Sequence, residues 1–176
     1  MGTRGITKVR QNNETKVAQY GQWDHYPSGQ GVTILNFLRT KEMVDKLREN
    51  LSSVYWIKPE DHELILSEFS SSDKGKGWMT LEDGQTFSEA YPSLTRDTGG
   101  DILELIATAN APVPLVNSDD FTNDRLFCEG IYTVDLDHNL FVTEYGDYPT
   151  RAFDLDNLPT PDEYVAAILG EETSNL

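Results

Sequence analysis

Cysteine is nearly absent from this chain of 176 residues, and so is any long apolar run. Cys128 stands alone, which excludes an intrachain disulfide and a cysteine-based zinc site. No stretch approaches the roughly 20 apolar residues that span a bilayer. The opening residues are polar, basic and glycine-containing, so no signal peptide is read there. Ile6 stands where a myristoylation motif needs Ser or Thr. His25, His62 and His138 are scattered, with no pair at metal-ligand spacing. Basic residues are scarce too: 14 Lys and Arg face 30 Asp and Glu, for a net charge of −16. Together these shortages predict a soluble, cytoplasmic protein with no metal, no cofactor and no membrane, whose surface repels nucleic-acid phosphates.

The charge is unevenly spread. Residues 1–58 carry nine Lys or Arg against five acids, whereas residues 59–176 carry five against twenty-five. Such a surface attracts proteins that are basic because they bind nucleic acid, and it also serves plain solubility. An apolar fraction of 38% with 10% aromatics suits a packed globule. The expectation is one domain over residues 1–176, with residues 171–176 a frayed tail, and no internal repeat.

Gly5–Arg10 and Lys16–Tyr20 read as strands joined by the five-residue loop Gln11–Thr15, a β-hairpin. Val32, Leu35 and Leu38, then Met43, Leu47 and Leu51, repeat at helical spacing, as one long helix or two broken ones. Pro59-Glu60-Asp61 opens a further helix that runs to Phe69 and buries Leu64, Ile65 and Phe69. The polar run Ser70–Gly77 is the best candidate for a mobile segment, and residues 78–95 are ambiguous. Asp101–Asn110 is a helix, capped by Thr98 or Gly100. Phe127–Asp135 and Leu140–Tyr145 are the clearest strands, with a third at Thr150–Phe153. Thr160-Pro161-Asp162-Glu163 starts the last helix, which buries Tyr164, Val165, Ile168 and Leu169. Strands at both ends and helices between them predict an α+β fold. Its antiparallel sheet is built from an N-terminal hairpin and a C-terminal meander, with helices on one side.

The densest chemistry lies in Tyr20–Gly31, which holds three aromatics, an acid, a histidine and three glycines. Tyr20, Trp23 and Tyr26 offer stacking surfaces, with Gln22 between them. Asp24 reads as a turn cap or as a holder of the Gly2 amine or Arg4. Neighbours on a strand point to opposite faces, which argues against an Asp24–His25 proton-transfer dyad. Gly29-x-Gly31 ahead of a helix is too short for a nucleotide fingerprint. In Arg96-Asp97-Thr98-Gly99, the Asp-Thr-Gly run occurs once and leads into a helix, unlike the paired loops of aspartic proteases. Arg96 there reads equally as a binder of a carboxylate or phosphate ligand or as one half of a structural pair with an acid of the chain. Asp119, Asp120 and Asp124, and Asp135 with Asp137 and His138, lack the spacing of a calcium loop. Cys128 reads as a buried small residue, with no neighbouring histidine to support a nucleophile.

At Gly2-Thr3-Arg4-Gly5 and Tyr20–Gly31 the chain resembles a family of uncharacterised proteins from bacteriophages and mobile elements. That family opens Met-x-Thr-Arg-Gly and carries Tyr-Gly-Gln-Trp-Asp-Gly-Tyr-Pro-x-Gly-Gln-Gly. The likeness covers roughly the first 40 residues and continues loosely at Arg96–Gly99 and Cys128–Asp135. His25 stands where that pattern has glycine. The resemblance implies a context, a small accessory protein of a bacterial virus, and no activity.

Two functional expectations follow, beside a plainer reading in which residues 20–31 are internal scaffolding and function lies elsewhere on the surface. The first is a non-catalytic acidic inhibitor of a host defence component, of anti-CRISPR or anti-restriction type. It would use carboxylates such as Asp119, Asp120, Asp124, Asp135 and Asp137 against a basic nucleic-acid-binding surface. The second is a nucleotide or small-ligand site, in which Tyr20, Trp23 and Tyr26 stack a base, Gln22, Asp24 and Asp97 complete the site, and Arg4 and Arg96 take the phosphates.

Overall fold

The computed structural model describes residues 2–69 and 80–170. The polar run Ser70–Gly77, Trp78, Met79 and the tail 171–176 lie outside the described residues. Among the described residues no helix is long and apolar enough to cross a membrane.

The chain opens with β1 (Gly5–Gln11) and β2 (Glu14–Gly21), an antiparallel hairpin. Its connection is tighter than the loop expected from composition. Asn12 and Asn13 take φ of 57° and 60°, the mirror-image turn whose twist matches the strands, and asparagine tolerates that geometry. The Asp137 carboxylate accepts both turn amides at 2.8 Å.

The helical stripe that follows breaks in two, α1 (Val32–Leu38) and α2 (Lys41–Asn50). Thr40 interrupts it in extended conformation. Next come β3 (Val54–Trp56), α3 (Pro59–Phe69), α4 (Leu81–Ala90) and α5 (Ile102–Ala107). The chain then forms β4 (Val113–Leu115), β5 (Gly130–Asp135), β6 (Leu140–Tyr145), β7 (Arg151–Asp154) and α6 (Pro161–Leu169). Thr160 and Glu163 close a reciprocal capping box at the start of α6. Thr80 and Asp83 do the same for α4, in a stretch whose pattern was ambiguous.

The architecture is α+β. The main sheet runs β2-β1-β5-β6-β7 and is antiparallel except at its centre, where β1 and β5 lie parallel. A parallel pair needs a long crossover, and everything between residues 21 and 130 supplies it. β3 and β4 form a second, parallel two-stranded sheet. On one face of the main sheet, Val9, Val17, Tyr132, Val134 and Phe141 meet Ile34, Leu35, Leu47, Ile102, Leu103, Ile106, Tyr164 and Ile168. The opposite face is covered over β1 and β2 by the loop before β5, where Ile6 and Ile131 pack with Cys128, Tyr20 and Phe121. Lys8 pairs there with Asp119 at 2.8 Å.

Some local expectations are corrected. α3 packs against α4 rather than the core, so Leu64 is 62% exposed. Val165 and Leu169 of α6 are only partly buried, while Tyr164 and Ile168 carry the contact. The strand expected from Phe127 starts at Gly130, and Cys128 sits buried in the loop before it. The Thr98 hydroxyl donates to the Pro92 carbonyl instead of capping a helix.

Candidate functional site

Three glycines determine how the Tyr20–Gly31 segment is held. Gly5 pairs with Gly21 on one side and with Gly130 on the other, a side-chain-free row across three strands. The His25 ring lies on that row. A Cβ at Gly21 would stand 2.1 Å from His25 Cε1, and one at Gly5 would stand 2.5 Å from Cδ2. No residue but glycine fits beneath the ring at either position. The close approach shapes the sheet surface, and side-chain volume above it is the reason.

His25 is wholly buried. Its Nδ1 lies 3.0 Å from the Trp23 carbonyl, which only accepts, so Nδ1 carries the proton. Nε2 is then a bare acceptor, buried and without a partner among the described residues. Burial lowers the imidazole pKa to about 4, against the opposing pull of the Trp23 and Thr3 carbonyls and the Asp24 charge. The backbone anchors the segment as well. His25 N–H donates to Thr3 O at 3.0 Å, and Tyr132 Oη donates to His25 O at 2.8 Å. His25 is a wedge, and a proton-transfer role with Asp24 has no geometry to support it: Asp24 has φ 61° and accepts from Tyr26 Oη at 3.2 Å.

The segment also clasps the loop before α5. Trp23 Nε1 donates to Asp97 Oδ1 at 2.7 Å, Gln22 N to Arg96 O at 3.0 Å, and Gly100 N to Gln30 Oε1 at 2.8 Å. Gln30 Nε2 returns to Trp23 O at 3.3 Å. Trp23 and Asp97 therefore meet as the grouping of motifs anticipated, but as partners of each other.

The two arginines part company. Arg4 lies on the face of Ile6, its guanidinium 5.5 Å from the centre of the Phe127 ring, with Nε buried and without a partner among the described residues. Tyr20 shares that face, edge-on to Phe121 at 5.1 Å and donating to Gln22 Oε1 at 2.5 Å. Arg96 stands beyond the β2 edge, beside α3 and α4, and its side chain has no partner among the described residues. One pocket containing Arg4, Asp24 and Arg96 is not formed.

Sidedness also sorts the carboxylates. Asp119 is held by Lys8, and Asp124 accepts from Phe127 N at 3.3 Å, while Asp120 is exposed. Asp135 and Asp137 sit at the far end of the sheet, where they hold the His138 ring and the Asn12-Asn13 turn. Backbone amides keep Asp137 below the usual carboxylate range.

What gathers at the near end, where β1 and β5 begin and β2 and β6 finish, is aromatic. Trp23, Tyr26, Phe127 and Tyr148 are 36–49% exposed, and Leu126 is 78% exposed. Tyr145 stacks on Tyr148 at 5.9 Å. Burial first, then the nearby Glu129, Tyr148 and Tyr26, raise the Tyr145 hydroxyl above its ordinary value. Asp24, Glu129 and Asp147 at this end form no salt bridge among the described residues. Leu126, Phe127, Glu129, Tyr145 and Tyr148 were not anticipated. The signal in the sequence was aromatics at strand ends, beside glycines.

Cys128 is shielded, and burial raises its thiol to about 11, so it is no thiolate at neutral pH. Among the described residues no group of three His, Cys, Asp or Glu could hold a metal ion. No protein-family model, curated protein or solved structure matches the chain.

Proposed function

We propose that this chain is a non-catalytic acidic binding protein whose aromatic sheet end docks on a basic, nucleic-acid-binding protein surface. The setting would be the cytoplasm of a bacterial host, where the resemblance of the opening residues suggests a phage-encoded antagonist of a defence component. The observation that carries the reading is the set of exposed rings Trp23, Tyr26, Phe127 and Tyr148 at one end of the sheet, with the exposed carboxylates Asp24, Glu129 and Asp147, which have no salt bridge among the described residues, on a chain of net charge −16. Rings and carboxylates together suit arginine, which stacks on the former and pairs with the latter. Interface energy concentrates in such aromatic anchors, while the wider charge speeds and orients encounter.

The test is capture of host proteins by the full chain at low and high salt, with excess DNA or RNA as competitor. The expected partner is released by both, and is lost on Asp24→Asn with Glu129→Gln and Asp147→Asn. Capture indifferent to salt, to nucleic acid and to these changes would overturn the reading.

A further inference from the structure

On a different surface, α3, α4 and residues 94–97 enclose a groove of about 840 Å³, within the range of small-molecule sites. Leu66, Phe87 and Leu94 give it an apolar wall, with the exposed Leu81 at its rim. It adjoins a recess of about 150 Å³ that reaches Gln19, Tyr20 and Ser118, and His62, Leu94, Thr95 and Arg96 line both spaces.

The junction is built and stiff. Gln19 Nε2 donates to the Ser93 and Thr95 carbonyls at 3.3 and 3.4 Å, Ser93 Oγ to Pro114 O at 2.6 Å, and the Ser88 and Thr95 hydroxyls lie 3.0 Å apart. Asp97 is occupied by the Trp23 indole. That leaves Arg96 as a cation at the junction with no partner among the described residues, on a chain where acids outnumber bases by 30 to 14. A guanidinium left open beside an apolar wall matches a ligand with one acidic head and an apolar body.

We propose that the groove binds a small amphipathic acid, its carboxylate or phosphate head at Arg96 and His62 and its body along Leu66, Phe87 and Leu94. The site is independent of the docking end.

The probe is 8-anilinonaphthalene-1-sulfonate, itself an aromatic acid, bound to the full chain and displaced by decanoate, decyl phosphate or decan-1-ol below their micellar concentrations. The dye is expected to saturate at one site, and both acids to displace it at least tenfold better than the alcohol. The two acids distinguish a carboxylate from a phosphate preference. Arg96→Gln is expected to abolish the acid preference and leave the alcohol unchanged. A Cβ at Gly84, in the groove wall, meets nothing within 4 Å among the described residues, so Gly84→Leu places its side chain in the groove and is expected to block all three ligands. Equal displacement by acid and alcohol, an acid preference that survives Arg96→Gln, dye binding untouched by Gly84→Leu, or no saturable binding would each overturn the proposal.

Discussion

Acid should loosen this protein through His25 in a way that can be separated from every carboxylate. The ring is wholly buried on the glycine row, with its one proton committed to the Trp23 carbonyl. A second proton would go to Nε2, which has no acceptor among the described residues. The folded pKa near 4 compares with 6.5 for the free side chain. That gap corresponds to about 3 kcal/mol, at roughly 1.4 kcal/mol per unit of pH. The sign follows from which state binds the proton. Between pH 6.5 and 4 the unfolded chain takes it up and the native chain does not, so stability falls as pH falls. Above that window the effect vanishes, and below it the loss is complete. The perturbation is His25→Gln, and the assay is urea unfolding of both proteins at steps from pH 7.5 to 4. Steric costs of the substitution are independent of pH, and acids such as Asp137 are common to both proteins. The stability advantage of the wild type over the variant should therefore shrink by about 3 kcal/mol across the window. A change below about 1 kcal/mol would show that His25 is solvated or finds a partner, and the reasoning would fail.

Two further predictions concern packing. Gly21→Ala should cost at least about 2 kcal/mol, because its methyl meets the imidazole, and much less when His25→Gly removes the ring, which a double-mutant cycle by chemical denaturation measures. Tyr164→Phe should cost about 1–3 kcal/mol in the same assay, since it strands the buried Thr143 hydroxyl now 2.7 Å from Tyr164 Oη.

The elements were largely legible because their signals are local. Proline and acids announced α3 and α6, and apolar spacing marked α1 and α2. Asparagines in the left-handed region tightened the first turn beyond what composition suggested. Pairing was less legible, because alternation along a strand fixes its faces and not its partner. Nothing in Val54–Trp56 names Val113–Leu115, and nothing in Gly5–Gln11 says that Gly130–Asp135 runs beside it in the same direction. Site residues shared this difficulty. Arg4 and Arg96 looked equivalent next to the aromatic segment, yet strand alternation sends Arg4 beneath Phe127, while Arg96 hangs outside the sheet edge. His25 was legible only as a departure from a glycine pattern. Its seat on Gly5, Gly21 and Gly130 requires three strands in register, which no single segment encodes.

The parallel seam between β1 and β5 carries a consequence for biosynthesis. As the chain leaves the ribosome, the N-terminal hairpin is finished early, but one of its flanks must wait more than a hundred residues for Gly130–Asp135 to arrive. Until then a strand destined for the middle of the molecule is an open border, exposed to mispairing, and its late closure makes this a slow-maturing topology for its size. Nascent chains arrested before residue 130 should accordingly remain protease-sensitive throughout.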